Sequence, residues 1–82
     1  TPYDVYHQLE KLFEQSFVSI DSQNDLILIN TTPGSAEVLA NVLQLQSFEE
    51  IFAVIENDNS VLIICRSVEA ASDLRNQLLR YI

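Results

Sequence analysis

The sequence predicts an α+β fold: two ββα units forming a four-stranded antiparallel sheet with two helices on one face, preceded by an N-terminal helix. Three observations lead there. Short apolar runs rich in β-formers come in two close pairs, at 16–20 with 25–30 and at 51–55 with 60–65. Each pair is followed by a cap signal and then by apolar residues at helical spacing. The residues before the first pair carry a helical stripe of their own. A plan of two strands and a helix, used twice, buries its apolar surface most simply by laying helices on one sheet.

The elements follow in order. Thr1-Pro2-Tyr3-Asp4 reads as a helix start: Thr1 caps, Pro2 takes the first helical position, and Asp4 stands where a capping-box acid would. Val5, Leu9, Leu12 and Phe13 recur on one stripe, with Tyr3 and Tyr6 off its centre. Residues 16–20 follow as a strand, and Asp21-Ser22-Gln23-Asn24 as a turn cluster. Leu26-Ile27-Leu28-Ile29 is nearly continuous in apolar character, which predicts a strand covered on both faces.

The second helix is expected over 31–44. Thr31 or Thr32 caps it, Pro33 is its first residue, and Gly34 allows close backbone approach where free N–H groups could hold a carboxylate. Ala36, Leu39, Ala40 and Leu43 make one apolar face. Val38, Val42 and Leu45 make another that needs a partner. Glu37, Asn41 and Gln44 form a polar ridge. Ser47 to Glu50 connects to the second hairpin, whose turn, Glu56-Asn57-Asp58-Asn59, has no Gly or Pro. Asn and Asp tolerate left-handed backbone, so a tight turn is reasonable there, and its side-chain oxygens are concentrated. Ser67 caps the last helix, Glu69 follows in its first turn, and Arg75 and Arg80 come late, the order that the helix dipole favours. Ala71, Leu74 and Leu78 are its buried stripe, with Ala70, Tyr81 and Ile82 beside it. The first helix and the open sheet face are left to meet neighbours.

Composition narrows the function classes. Hydrophobic residues are 48% and charged residues 20%, which is globular rather than disordered. A chain of 82 residues is one small domain with a marginal core, so association would help it. Twelve acids against Lys11, Arg66, Arg75 and Arg80 leave a net charge of −8, the wrong sign for holding phosphates. Acidity suits a cationic ligand or plain solubility. Cys65 sits in an apolar run as a small buried hydrophobe, and no disulfide can form within the chain. His7, the only histidine, falls on the polar side of its helix with no second ligand or nucleophile to serve. No metal-ligand cluster, triad or Gly-rich phosphate loop is visible, so the chain is not expected to be an enzyme or to use a metal. No run reaches transmembrane length. A cytoplasmic protein is expected, and the start at Thr1 points to a piece of a longer one.

Across nearly all of 17–82, these residues also carry a family pattern. Its anchors are Phe17-Val18-Ser19-Ile20-Asp21, then Asn30-Thr31-Thr32-Pro33-Gly34-Ser35-Ala36, then Glu50-Ile51 leading to Val61-Leu62-Ile63-Ile64-Cys65-Arg66. In these the chain resembles the C-terminal domain of bacterial arginine repressors. The resemblance implies an N-terminal linker helix at 1–15 and an oligomerisation and effector-binding domain at 16–82. It implies self-association as a trimer, and as a hexamer of two trimers with L-arginine between them as corepressor. Operator DNA is then met only through an N-terminal DNA-binding domain outside this chain.

Carried over residue by residue, the family's ligand positions are Glu37, Gln44, Asp58 and Asn59. The family usually has Gln at position 37, Asp at 44, and Gly-Asp-Asp-Thr where this chain has Asn57-Asp58-Asn59-Ser60. Its Gly-Thr in the third strand is Ala53-Val54 here. Only Asp58 keeps the usual type. Charge-assisted bonds to a guanidinium or ammonium are worth about 1.5–3 kcal/mol each. Acid-to-amide changes at 44 and 59 are therefore expected to weaken arginine by roughly two to four orders of magnitude. Three readings stay open: an altered arginine site, a site for another ligand, or a structural oligomerisation domain that assembles, with a paralogue that keeps the site, and senses nothing. An enzymatic use of a similar ββαββα plan occurs in the pterin-4a-carbinolamine dehydratases, but it relies on a histidine cluster that this chain lacks.

Overall fold

The computed structural model describes residues 2–82, with side chains from His7 onward. Helix α1 (Pro2–Ser16) leads into strands β1 (Phe17–Gln23) and β2 (Leu26–Thr31). Helix α2 (Ala36–Leu45), strands β3 (Ile51–Glu56) and β4 (Ser60–Cys65), and helix α3 (Val68–Leu78) follow, with a 3-10 turn at Leu79–Tyr81. The sheet is antiparallel throughout, in the order β1-β2-β4-β3. This is the predicted α+β plan: a leading helix, then two ββα units. Thr1 and its cap lie outside the described residues, as do the side chains of Tyr3, Asp4, Val5 and Tyr6, on which the capping box and the start of the stripe depend.

Alternation along the strands sorts the two sheet faces. Ile27 and Ile29 of β2 and Val61, Ile63 and Cys65 of β4 point toward the helices and are buried. Ala36, Leu39, Ala40, Val42 and Leu43 of α2 and Ala71, Leu74 and Leu78 of α3 close over them. On the opposite face, register aligns Asp21, Leu28, Leu62 and Ile55 in one row and Gln23, Leu26, Ile64 and Ala53 in the next. That face is apolar at its centre and polar along β1, and no element of the described residues covers it.

Three expectations change. Asp21, Ser22 and Gln23 are strand rather than turn, paired with Leu28, Ile27 and Leu26. β1 is an edge strand with side chains open to solvent, so polar residues sit there without loss, and long-range pairing overrides their local turn preference. The turn is only Asn24-Asp25, with Asn24 left-handed at φ 54°. Next, α1 is not left to meet neighbours: Leu9 and Phe13 are in the core. The Phe13 ring stands 5.8 Å from Phe17, edge to face, and 5.8 Å from Tyr81. Lastly, Val42 packs inside the domain, which leaves Val38 and Leu45 as the exposed apolar residues of α2.

Helix α3 starts as predicted. Ser67 is extended, and its Oγ accepts the Ala70 N–H at 3.0 Å. Ser67→Ala is expected to lower stability by about 1 kcal/mol, the usual worth of such a cap. The check is a lower urea midpoint with an unchanged slope; an unchanged midpoint would refute it.

Candidate functional site

Two turns meet beside the start of α2. In the first, the Ser35 N–H donates to the Thr32 carbonyl at 3.2 Å, with Pro33 and Gly34 between and Gly34 at φ +83°. These are the features of a type II turn, in which Pro presets the second position and Gly supplies the positive φ of the third. The helix therefore begins at Ala36, not at Pro33, and Ser35 is its N-cap residue without a side-chain cap bond. The Pro-Gly pair carries both a helix-start and a turn signal; left-handed Gly34 cannot continue a helix, and the turn signal prevails.

The second turn is the β3–β4 hairpin end, and the first turn holds it. The Thr31 N–H donates to the Asn59 carbonyl at 2.8 Å, and the Gly34 N–H donates to the Asp58 carbonyl at 2.9 Å. So the Gly34 N–H is not free for a ligand carboxylate, as its helix-start reading would have it. Within the hairpin, Asn57 Oδ1 accepts from the Asn59 N–H, the Ser60 N–H and the Ser60 hydroxyl at 3.0, 2.8 and 2.8 Å. Left-handed backbone is not used: none of Asn57, Asp58 and Asn59 has a positive φ.

Between the turns lies an open cleft of about 300 Å³, lined by Gly34, Glu37, Glu56, Asn57 and Asp58. Glu37 comes from the first turn of α2. Asp58 comes from the hairpin tip. Glu56 comes from the end of β3, where register against Val61 puts it on the helix-covered face of the sheet. Three carboxylates and no basic side chain line this cleft. Such a lining suits a cation with several N–H donors, which carboxylates hold by charge-assisted bonds, bidentate for a guanidinium.

The four positions that the resemblance implies for a ligand therefore divide. Glu37 and Asp58 share the cleft. Gln44 lies two helical turns further along α2, about 10 Å at 1.5 Å per residue. It lines a separate recess with Leu43, Phe48, Ile51 and Phe52. Asn59 stands exposed at the hairpin tip, outside the lining, with its carbonyl held by Thr31. Glu37, Asn41 and Gln44 are all exposed, as the ridge reading requires. Glu56 entered the sequence reading only as one oxygen of a turn. Counting alternation forward from Val54 would have placed it on the helix side.

Cys65 is a buried free thiol. Burial, followed by the Asp25 and Glu50 carboxylates, pushes its pKa up. It is neutral near pH 7 and a poor nucleophile.

Residues 13–80 match the family described as the arginine repressor C-terminal domain. The chain belongs to the arginine repressor family. It is 37% identical over 76 residues to proteins named arginine repressor from Staphylococcus aureus strains JH9, Newman and Mu50, covering 89% of this chain and 51% of each relative. The chain thus spans about half the length of the curated relatives it matches. The arginine repressors are transcription regulators, not an enzyme family. The matched span runs from Phe13 to Arg80, so it takes in the whole sheet, α2, α3 and both turns of the cleft. Among the described residues, no helix is long and apolar enough to cross a membrane.

Proposed function

We propose that this chain is the oligomerisation and effector-binding domain of an arginine-responsive transcriptional regulator of arginine metabolism, with L-arginine as its effector. The observation that carries the reading is the cleft at Gly34, where Glu37, Glu56 and Asp58 line one space with no base among them. The guanidinium and α-ammonium of arginine are the parts such a lining attracts. Glu56 adds a third carboxylate to this cleft, while the amides of Gln44 and Asn59 lie outside its lining. Operator DNA is met by another part of the regulator, since this domain's net charge of −8 repels phosphate.

Self-association is supported by the open sheet face. Leu28 is 37% and Ile55 56% exposed, and both flank Leu62 in one row. Burying such surface is worth about 25 cal/mol per Å². Three copies carry −24 (3 × −8) and six carry −48 (6 × −8), so apolar contact must offset repulsion. Salt, and a cationic ligand bound between copies, should favour the larger assembly.

Sedimentation velocity of the domain, with and without millimolar L-arginine, tests both halves. A trimer that shifts toward a hexamer with arginine is the expected result. A monomer at tens of micromolar would refute assembly. An unchanged mass together with a flat calorimetric titration would refute arginine sensing and leave a purely structural oligomerisation domain.

A further inference from the structure

We propose that Asn57 is the positioning residue of the cleft, setting where the Asp58 carboxylate and the Asn59 amide stand. The inference rests on reading the cleft as the effector site, and it assigns a role to a residue outside the expected ligand positions.

The hydrogen bonds around two consecutive peptide units carry it. In the unit joining Asp58 to Asn59, the carbonyl accepts from Gly34 at 2.9 Å and the N–H donates to Asn57 Oδ1 at 3.0 Å. In the unit joining Asn59 to Ser60, the carbonyl accepts from Thr31 at 2.8 Å and the N–H donates to Asn57 Oδ1 at 2.8 Å. Each planar unit is gripped at both ends, by the 31–34 turn on one side and by one side-chain oxygen on the other. The Ser60 hydroxyl adds a third donor to that oxygen at 2.8 Å.

Ordinarily a two-residue hairpin end closes through backbone bonds and left-handed residues. Here the Asn57 N–H still donates to the Ser60 carbonyl at 3.0 Å. The Ser60 N–H, however, turns to the Asn57 side chain, and positive φ is absent from 57–59. The side-chain oxygen takes the place of a backbone carbonyl. The two planes meet at the Asn59 Cα, so the bond from that atom to its side chain has one direction, and the first plane also fixes the position of the Asp58 Cα, from which the carboxylate projects. Without the Asn57 amide, half of the grip is gone, and the tip must be ordered each time ligand binds.

Calorimetric titration of L-arginine into the wild-type domain and into Asn57→Ala, Asn57→Asp and Asn57→Glu is the test. Asn57→Ala is expected to bind about tenfold more weakly, the size of effect expected from reordering one backbone residue. Its amides at Asn59 and Ser60 should exchange hydrogen faster without ligand. Asn57→Asp should restore binding, because its carboxylate reaches the same N–H groups. Asn57→Glu carries the same charge one methylene further out and should not. Equal affinity of wild type and Asn57→Ala, or rescue by Glu as full as by Asp, would overturn the proposal while leaving the site in place. A wild-type domain that takes up no arginine would overturn the effector site and this role together. If Asn57→Ala does not fold, the Asp and Glu variants decide between geometry and charge.

Discussion

Ile63→Ala is expected to lower the stability of the domain by about 2–5 kcal/mol, the usual cost of truncating a large aliphatic side chain in a packed core. Ile63 is fully buried at the middle of β4. Register flanks it with Ile27 and Val54, and α2 and α3 close over that face. No side chain can collapse into the gap without dragging a strand or a helix with it. A domain of this size holds roughly 4–12 kcal/mol in total, so the variant should lose a large share of its stability. Urea denaturation at one fixed protein concentration gives the measurement, because assembly adds to apparent stability. Leu62→Ala is the comparison. Leu62 is the next residue on the opposite face, so its loss should reduce assembly more than it reduces the stability of the single domain. A fall of less than 1 kcal/mol for Ile63→Ala would contradict the core described here.

Gln44→Asp is expected to tighten L-arginine binding about 10- to 100-fold, since a carboxylate in place of an amide turns a bond between a cation and a neutral acceptor into a hydrogen-bonded ion pair. The same change puts an acid near the C-terminal end of α2, where the helix dipole opposes it by about 0.3–1 kcal/mol. Gln44 is exposed, so packing is untouched. The two effects have opposite signs, which separates them: melting temperature should fall slightly while calorimetric affinity rises. Unchanged affinity with lowered stability would place Gln44 outside the ligand's reach. Within one chain Gln44 lines a different recess from Glu37 and Asp58. A gain in affinity would therefore also mean that the acid meets a ligand shared with another copy.

Most of the fold was legible in the sequence because its elements are short and its periods are clean. The runs at 51–55 and 60–65 alternate or continue in apolar character and became β3 and β4 almost residue for residue. Ser67 and the stripe Ala71, Leu74 and Leu78 became the cap and buried face of α3. The candidate site was half legible. Glu37 and Asp58 carried over from the family pattern and share one cleft, while Glu56 completes its acids only because β3 pairs with β4 in one register.

Where local signals conflicted, contacts between distant residues settled the outcome. Asp21, Ser22 and Gln23 read as turn but extend as an edge strand, because Leu28, Ile27 and Leu26 offer them a ladder. Thr32-Pro33-Gly34-Ser35 reads as a helix start but forms a separate turn, because the Gly34 N–H binds the hairpin at Asp58, as the Thr31 N–H just before the turn binds it at Asn59, rather than wait for a helix or a ligand. Helix α1 reads as spare but closes the core with Leu9 and Phe13. Hydrophobic period and cap chemistry act over a few residues, so composition and spacing suffice to say which residues seek a core and where most elements lie. Which backbone group meets which across 24 positions, as for Gly34 and Asp58, or 28, as for Thr31 and Asn59, depends on the packed arrangement, and the joined turns that carry the cleft exist only there.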